Sequence, residues 1–187
     1  MIVHLAARCR RVPVTSNVRR HMQSLRSFIV RPQIPLWQYC ILAVPVALIP
    51  SGLLAWAARF VFASAGVDLS LVSPPDRQFS ASELFGTAVF APIVETSFLA
   101  LGLRGLSTPS ANLPFIALAS ATAWGCLHAL FGFLWLFGTV WSFFVFSVAY
   151  LAWRPQSFTA AFVAAALPHA AMNLLSVLLL LVVDNAA

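Results

Sequence analysis

Lysine is absent from the 187-residue sequence, and acidic residues are scarce. All eleven positively charged residues are arginine, and only five residues are Asp or Glu. Charged residues make up 9% of the chain and hydrophobic residues 61%, with a mean hydropathy of +0.91. So apolar a composition is outside the range of soluble globular domains and requires lipid as solvent. The sequence therefore predicts an all-α polytopic membrane protein, because helices satisfy their own backbone hydrogen bonds in hydrocarbon.

The sequence also lacks the common motifs of soluble enzymes and nucleotide-binding proteins. It contains no Walker loop, GxGxxG, HExxH or GxSxG nucleophile elbow, the usual signals for phosphate binding, dinucleotide binding and soluble protease chemistry. The three cysteines, Cys9, Cys40 and Cys126, are far apart and odd in number, so they support neither a disulfide framework nor a thiolate metal site. We expect no cofactor, no resident metal and no nucleic-acid partner.

The N-terminal segment 1–35 carries most of the positive charge. Seven of the eleven arginines lie between Met1 and Arg31, and no acid precedes Asp68. We interpret this segment as a disordered, solvated tail on the cytoplasmic side, where positive residues flanking membrane spans are retained. Three other interpretations stay open: binding to an anionic lipid leaflet, an organellar transit peptide, and an extension upstream of a true start at Met22.

Apolar residues form five segments, each compatible with one crossing of a hydrocarbon core about 30 Å thick. They are Leu36 to Ser64, Glu83 to Leu103, two spans within Leu113 to Trp153 that turn near Phe131-Gly132-Phe133, and Ser157 to Val183. With the N-terminus inside, five crossings place Arg104 and Arg154 in the cytoplasm and the acidic residues of the loop 66–82 outside. We therefore predict a multi-pass protein of the cell inner membrane.

Glu95 is the only acid inside an apolar segment, and it follows Ala91-Pro92-Ile93-Val94. A carboxylate at membrane depth costs at least about 2.5 kcal/mol, so it is by default a functional residue that requires partners. Candidate partners on other segments are His128, which follows Trp124 by one helical turn, and His169 with Asn173, whose spacing puts both on one helix face. We expect all four polar residues to converge on one cavity, since each alone in lipid is costly.

These residues resemble the three motifs of the CAAX protease and bacteriocin-processing family (CPBP, or Abi) of intramembrane proteases. The family's motifs read roughly A-P-I-x-E-E-x-x-x-R, F-x-x-x-H and H-x-x-x-N. The present sequence has Ala91 to Glu95 for the first, Trp124 to His128 with Trp for Phe for the second, and His169 to Asn173 for the third. The resemblance implies an intramembrane protease core over 83–183, preceded by an additional transmembrane helix at 36–64.

The first motif departs from the family pattern at two positions. Thr96 stands in place of the second Glu, and Ala100 in place of the Arg. Arg104 is nine residues from Glu95, about half a turn out of phase at roughly 100° per residue, and cannot simply replace that Arg. These departures keep open a non-enzymatic role, such as bacteriocin immunity or a small transporter subunit.

The resemblance implies peptide-bond hydrolysis by activated water, with Glu95 and His128 taking a proton from the water and His169 and Asn173 binding the oxyanion. A zinc-dependent alternative would use Glu95, His128 and His169 as ligands. The implied substrate is a membrane-anchored protein or peptide cleaved near its C-terminus. The reason is that the chain resembles the small bacterial family members that are paired with C-terminal sorting signals (myxosortase and JDVT-CTERM-type systems). The other implied partner is the lipid bilayer.

The predicted topology can be tested with an alkaline phosphatase fusion. Alkaline phosphatase joined after Ala187 should be active in a bacterial host, because five crossings from a cytoplasmic N-terminus leave the C-terminus outside. An inactive fusion would indicate an even number of crossings.

Overall fold

The protein is a bundle of apolar helices. The computed structural model describes residues 32–74, 80–106 and 112–184, and within these ranges the chain forms helices and turns without strands. The elements are α1 (Leu36–Ser64), a 3-10 turn (Leu69–Leu71), α2 (Ala81–Phe85), a π-helical turn (Gly86–Phe90), α3 (Ala91–Leu106), α4 (Leu113–Ala129), α5 (Trp135–Trp153) and α6 (Phe158–Asp184). The predicted all-α class is confirmed.

Four helical stretches are long and apolar enough to cross a membrane, and α4 is a shorter apolar helix. The four are Leu36–Ser64, the run Ala81–Leu106 formed by α2, the π turn and α3, Trp135–Trp153, and Phe158–Val182. The turn predicted near Phe131 separates α4 from α5. The second segment is longer than predicted at both ends, because Ser80 begins α2 with a capping box involving Glu83 and α3 continues to Leu106. Of the predicted N-terminal tail 1–35, residues 1–31, which include Met22, lie outside the described residues, and residues 32–35 precede α1 without helical structure.

Helix α5 is at the centre of the bundle and packs against α1, α4 and α6. It contributes large buried side chains such as Phe143, Phe146 and Tyr150. The facing residues on the neighbouring helices are small, which allows close approach of backbones in lipid; they include Ala43 and Ala47 on α1, Ala117 and Ala121 on α4, and Ala161, Ala164 and Ala165 on α6. The large apolar side chains of α1 mostly face outward, as expected for a helix in contact with lipid.

The antiparallel order of the helices separates charges between the two ends of the bundle. The end with Arg104 and Arg154 is here called the basic end, and the end with Asp68 and Glu83 the acidic end. The Ser70 hydroxyl and backbone N–H donate to Asp68 Oδ1 at 2.8 and 2.9 Å, and these bonds lower the pKa of the Asp68 carboxyl. Arg59, in the last turns of α1, is the exposed cation nearest the acidic end among the described residues.

A short connection fastens the acidic end. After α1 the chain returns to the α4–α5 turn, where the Leu134 N–H donates to the Val72 carbonyl at 2.9 Å. Gly132 lies directly against this connection: a Cβ at that position would be 2.5 Å from the Pro74 nitrogen and 2.7 Å from the Ser73 carbonyl carbon. Only glycine fits there without displacing backbone.

Gly132→Ala should therefore destabilise the protein by about 1–3 kcal/mol, because the added methyl group would force the 72–74 backbone away from the turn. The measurement is the Tm of the purified protein in detergent, followed by tryptophan fluorescence. Gly52→Ala is the matched control, since a Cβ at Gly52 would meet nothing within 4 Å. Equal Tm values for the two variants would contradict this account of the turn.

Candidate functional site

Three of the four predicted site residues meet at the Glu95 carboxylate. Glu95 Oε2 on α3 is 3.9 Å from His128 Nε2 on α4 and 3.5 Å from His169 Nε2 on α6. The side chains of Glu95 and His128 are 24% and 21% exposed, whereas His169 is 4% exposed. Three helices thus bring one carboxylate and two imidazoles together, with the carboxylate and one imidazole partly accessible.

The hydrogen bond of His128 within its own helix sets the protonation of the ring that faces Glu95. His128 Nδ1 is 2.9 Å from the Trp124 carbonyl oxygen. A carbonyl only accepts, so Nδ1 carries the proton, and in the neutral ring Nε2 is left as an acceptor toward Glu95. Glu95 Oε2 and His128 Nε2 are then two acceptors 3.9 Å apart. This arrangement fits a bridging water that donates to both atoms, or a protonated His128 that donates to Glu95 itself.

Aromatic side chains surround His128 and fix the plane of its ring. The Trp124 ring lies 6.1 Å away on the preceding turn, as the sequence spacing predicted, and Trp135 and Phe143 on α5 lie at 5.7 and 5.5 Å. Trp124 stacks on Phe143 at 4.6 Å. The aromatic residue of the second motif, here Trp124, thus supports His128 through packing. Its ring does so together with Phe143, on which it stacks.

His169 is held inside the bundle by the same aromatic group on α5. Its ring stacks on Phe146 at 4.7 Å and meets Phe143 edge-on at 5.2 Å. Its Nδ1 atom is buried without a hydrogen-bond partner. The neutral ring therefore best carries its proton on Nε2, where it can donate toward Glu95. His169 is thereby a rigid donor on the closed side of the site.

Asn173 attaches α6 to the backbone just before the helix that carries Glu95. Its Nδ2 donates to the Thr87 carbonyl at 3.0 Å. The π-helical turn explains why this carbonyl is suited to a side-chain donor: Ala91 N–H bonds to Gly86 O, and in that register the backbone partner of Thr87 O would be residue 92. Pro92 has no N–H. The helix thus has a π turn immediately before Pro92, and Asn173 bonds to that turn.

The departures from the family motif lie in the packed interior. Thr96 and Ala100 are 1% and 3% exposed, and Thr96 Oγ1 has no hydrogen-bond partner. Arg104 faces away from the site, with its guanidinium 5.4 Å from the Phe158 ring centroid. Small residues therefore occupy the positions where the family pattern has a charged pair.

Sequence reasoning did not identify Thr87, Trp135, Phe143 and Phe146 as parts of the site. Phe143 and Phe146 belong to a nearly continuous apolar run, and nothing in the run marks the two rings that touch histidine. Pro92 was a usable signal for Thr87, since a proline inside a helix changes the bonding of carbonyls one turn before it.

In the part of the chain that the structure describes, no group of three or more His, Cys, Asp or Glu side chains has the arrangement of a metal site. Glu95, His128 and His169 are the residues that would hold a zinc ion. The hydrogen bond from His128 Nδ1 to the Trp124 carbonyl is compatible both with a water and with a metal at Nε2.

Comparison with known proteins adds no assignment: no protein-family model, curated protein or solved structure matches the chain. The function is therefore inferred from the geometry of the site and from the motif resemblance.

Asn173→Ala should destabilise the protein by about 1 kcal/mol, because it removes the amide donor from the Thr87 carbonyl. Asn173→Asp should cost more, since it places a carboxylate oxygen opposite a carbonyl oxygen. Thermal unfolding in detergent measures both. Thr122→Ala, which removes an exposed hydroxyl bonded within its own helix, is the control. A Tm for Asn173→Asp equal to that of the control would show that the bond to Thr87 is unimportant.

Proposed function

We propose that the protein is an intramembrane endopeptidase that hydrolyses a peptide bond with water activated by Glu95 and His128. The observation that carries the proposal is the position of Glu95 Oε2, within 4 Å of two imidazole nitrogens from two other helices. A partly exposed carboxylate with two histidines is energetically costly in an apolar bundle, so its presence there indicates a function. The CPBP motif resemblance supports the same reaction.

Glu95 acts as the general base. A water donating to Glu95 Oε2 and His128 Nε2 would lose a proton to this pair as its oxygen attacks the scissile carbonyl carbon. The pair would then return the proton to the leaving amine. The bond from His128 Nδ1 to the Trp124 carbonyl supports this role, because a proton on Nδ1 makes Nε2 of the neutral ring an acceptor.

His169 and Asn173 are proposed to bind the oxyanion of the tetrahedral intermediate. His169 Nε2 lies 3.5 Å from Glu95 Oε2 and its Nδ1 is buried without a partner beside the Phe146 ring, so Nε2–H is its one donor and would turn from the carboxylate to the oxyanion as the charge develops. One N–H of Asn173 Nδ2 is used by Thr87, and the second is left for substrate. Donors held before the reaction begins are worth about 3 kcal/mol each in such sites.

The substrate proposed is a membrane-anchored protein or peptide cleaved near its C-terminus, and the location proposed is the cell inner membrane with the N-terminus in the cytoplasm. These assignments are supported by the family resemblance and by the arginines at the basic end. Immunity to a bacteriocin is the second candidate. The uncharged Thr96 and Ala100, buried where the family motif has Glu and Arg, favour it.

Glu95→Gln should reduce proteolysis by about 10²-fold or more while leaving the protein folded, because the amide keeps the shape of the side chain but cannot take a proton. The measurement is intact-protein mass spectrometry of the membrane fraction, in a deletion strain complemented with each variant. The wild-type gene should restore a shortened exported protein, and Glu95→Gln should leave its C-terminal segment attached.

Glu83→Gln is the matched control: it makes the same chemical change at an exposed acid, and glutamine can also serve in a capping box. We expect chelators to leave cleavage unchanged. Inhibition by a chelator that added zinc reverses would instead show a zinc-dependent mechanism. Full activity of Glu95→Gln would disprove the proposed role of Glu95. Identical membrane proteins in all strains, with bacteriocin sensitivity in the deletion, would favour immunity.

A further inference from the structure

Two exposed tryptophans on α1 mark the levels of the two membrane surfaces. Trp37 is 62% and Trp56 67% exposed, and the other four tryptophans are at least partly buried. Exposed tryptophan is enriched at the membrane–water interface on both sides of a bilayer. The two residues are 19 positions apart, which is about 28 Å along a helix and matches a hydrocarbon core about 30 Å thick. The middle of the bilayer then falls near Val46.

The contact between α1 and α6 gives the level of the polar cluster on this scale. Cys40 Sγ donates to the Val163 carbonyl at 3.8 Å. The two helices run in the same direction, so His169, six residues after Val163, is level with Val46. Glu95 Oε2 is 3.5 Å from His169 Nε2. The carboxylate therefore lies near the middle of the bilayer.

Contacts of α5 give the same level independently. Trp141 Nε1 donates to the Val46 carbonyl at 2.8 Å, and this carbonyl is one that Pro50 cannot bond within α1. The next turn of α5 carries Phe143 and Phe146, whose rings contact His169. Both routes place His169 within about one turn, roughly 5 Å, of the midpoint between the two exposed tryptophans.

Charged residues outside the cluster lie near the two surfaces. On α1, Arg59 follows Trp56 by three residues. At the other end, Arg154 directly follows Trp153, whose ring meets Tyr39 at 5.7 Å, so Arg154 is level with the first turn of α1. The polar cluster is thus well inside both surfaces, at the depth where a carboxylate costs most.

We infer, on the basis of the proposed function, that the site cleaves at the middle of the membrane and that its substrates are transmembrane helices. A general base acting on a peptide bond at a membrane surface could lie near that surface, where a carboxylate costs less. A base at mid-depth indicates that the scissile bond is there too. This bond is then about 10 residues from either end of a span of about 20 residues.

A transmembrane helix reaches the midplane with its backbone hydrogen bonds intact, whereas an extended chain would expose N–H and C=O groups to hydrocarbon. Only the turn that contains the scissile bond has to open, so that its carbonyl can be attacked. Glycine or proline near the middle of the span lowers the cost of that opening. The substrate class is therefore a C-terminal membrane anchor with glycine or proline near its midpoint.

Spin labels on the full chain in lipid bilayers measure the depth of the cluster without requiring proteolysis. The three native cysteines are first replaced by alanine. Single cysteines for labelling then replace exposed residues at the level of the cluster on three helices, in the variants Val46→Cys, Ile93→Cys and Leu167→Cys. Phe60→Cys and Phe158→Cys mark the two surfaces. The measurement is the ratio of relaxation by oxygen, which concentrates in hydrocarbon, to relaxation by a water-soluble nickel chelate.

We expect this ratio at each of the three central labels to be at least about 5-fold higher than at Phe60→Cys and Phe158→Cys, because the hydrocarbon core excludes water. Central labels that match either surface label would overturn the inference. The use of three helices distinguishes the depth of the bundle from a local disturbance by one label.

The mass of the shortened exported protein locates the cut. In the strain complemented with the wild-type gene, the cut should fall roughly 10 residues inside the C-terminal apolar stretch. Leucine in place of the glycine or proline nearest the cut should slow cleavage about 5-fold or more. A cut outside the apolar stretch, or unchanged cleavage of the leucine variant, would overturn the substrate class. Absence of any cleavage would instead contradict the proposed function, and the spin labels would still decide the depth of the cluster.

Discussion

The cost of placing a carboxylate inside an apolar bundle determines how this structure is arranged. Glu95 lies among apolar helices and needs polar partners. Two histidines from separate helices have their Nε2 atoms 3.5 and 3.9 Å from Glu95 Oε2. Each histidine in turn needs a fixed orientation. A backbone carbonyl and a cage of aromatic rings provide it for His128, and stacking on Phe146 provides it for His169. The central helix α5 thus supports the site without contributing a predicted catalytic group.

The irregular backbone before Glu95 serves the same arrangement. Pro92 removes a donor, the helix takes one π-helical turn, and Asn173 donates to the Thr87 carbonyl in that turn. Irregular backbone within a membrane is tolerated where protein groups satisfy it. This bond fixes the height of α6 relative to the α2–α3 helix, and therefore the height of His169 relative to Glu95. Asn173 is a positioning residue in this respect, whatever it also donates to a substrate.

The sequence predicted the helical class, the five apolar segments and the meeting of Glu95 with His128 and His169, because hydropathy and the cost of buried charge act locally and are readable from composition. The fourth predicted residue, Asn173, instead bonds to the Thr87 carbonyl. The π turn and its bond to Asn173 were not predicted, since they depend on the register between two helices far apart in sequence. The choice of Phe143 and Phe146 from an aromatic-rich run also depends on tertiary packing.

The contact on which the proposed chemistry depends is that of one carboxylate with two imidazoles inside the membrane. Solid-state NMR of the protein in lipid bilayers tests it most directly, by ¹³C–¹⁵N dipolar recoupling between the Glu95 side chain and histidine nitrogens, with His4 and His21 replaced so that two imidazoles remain. We expect cross-peaks from the Glu95 carboxyl carbon to Nε2 of both His128 and His169, corresponding to separations of about 4 Å. Absence of both cross-peaks, with the aromatic contacts of each histidine intact, would contradict it.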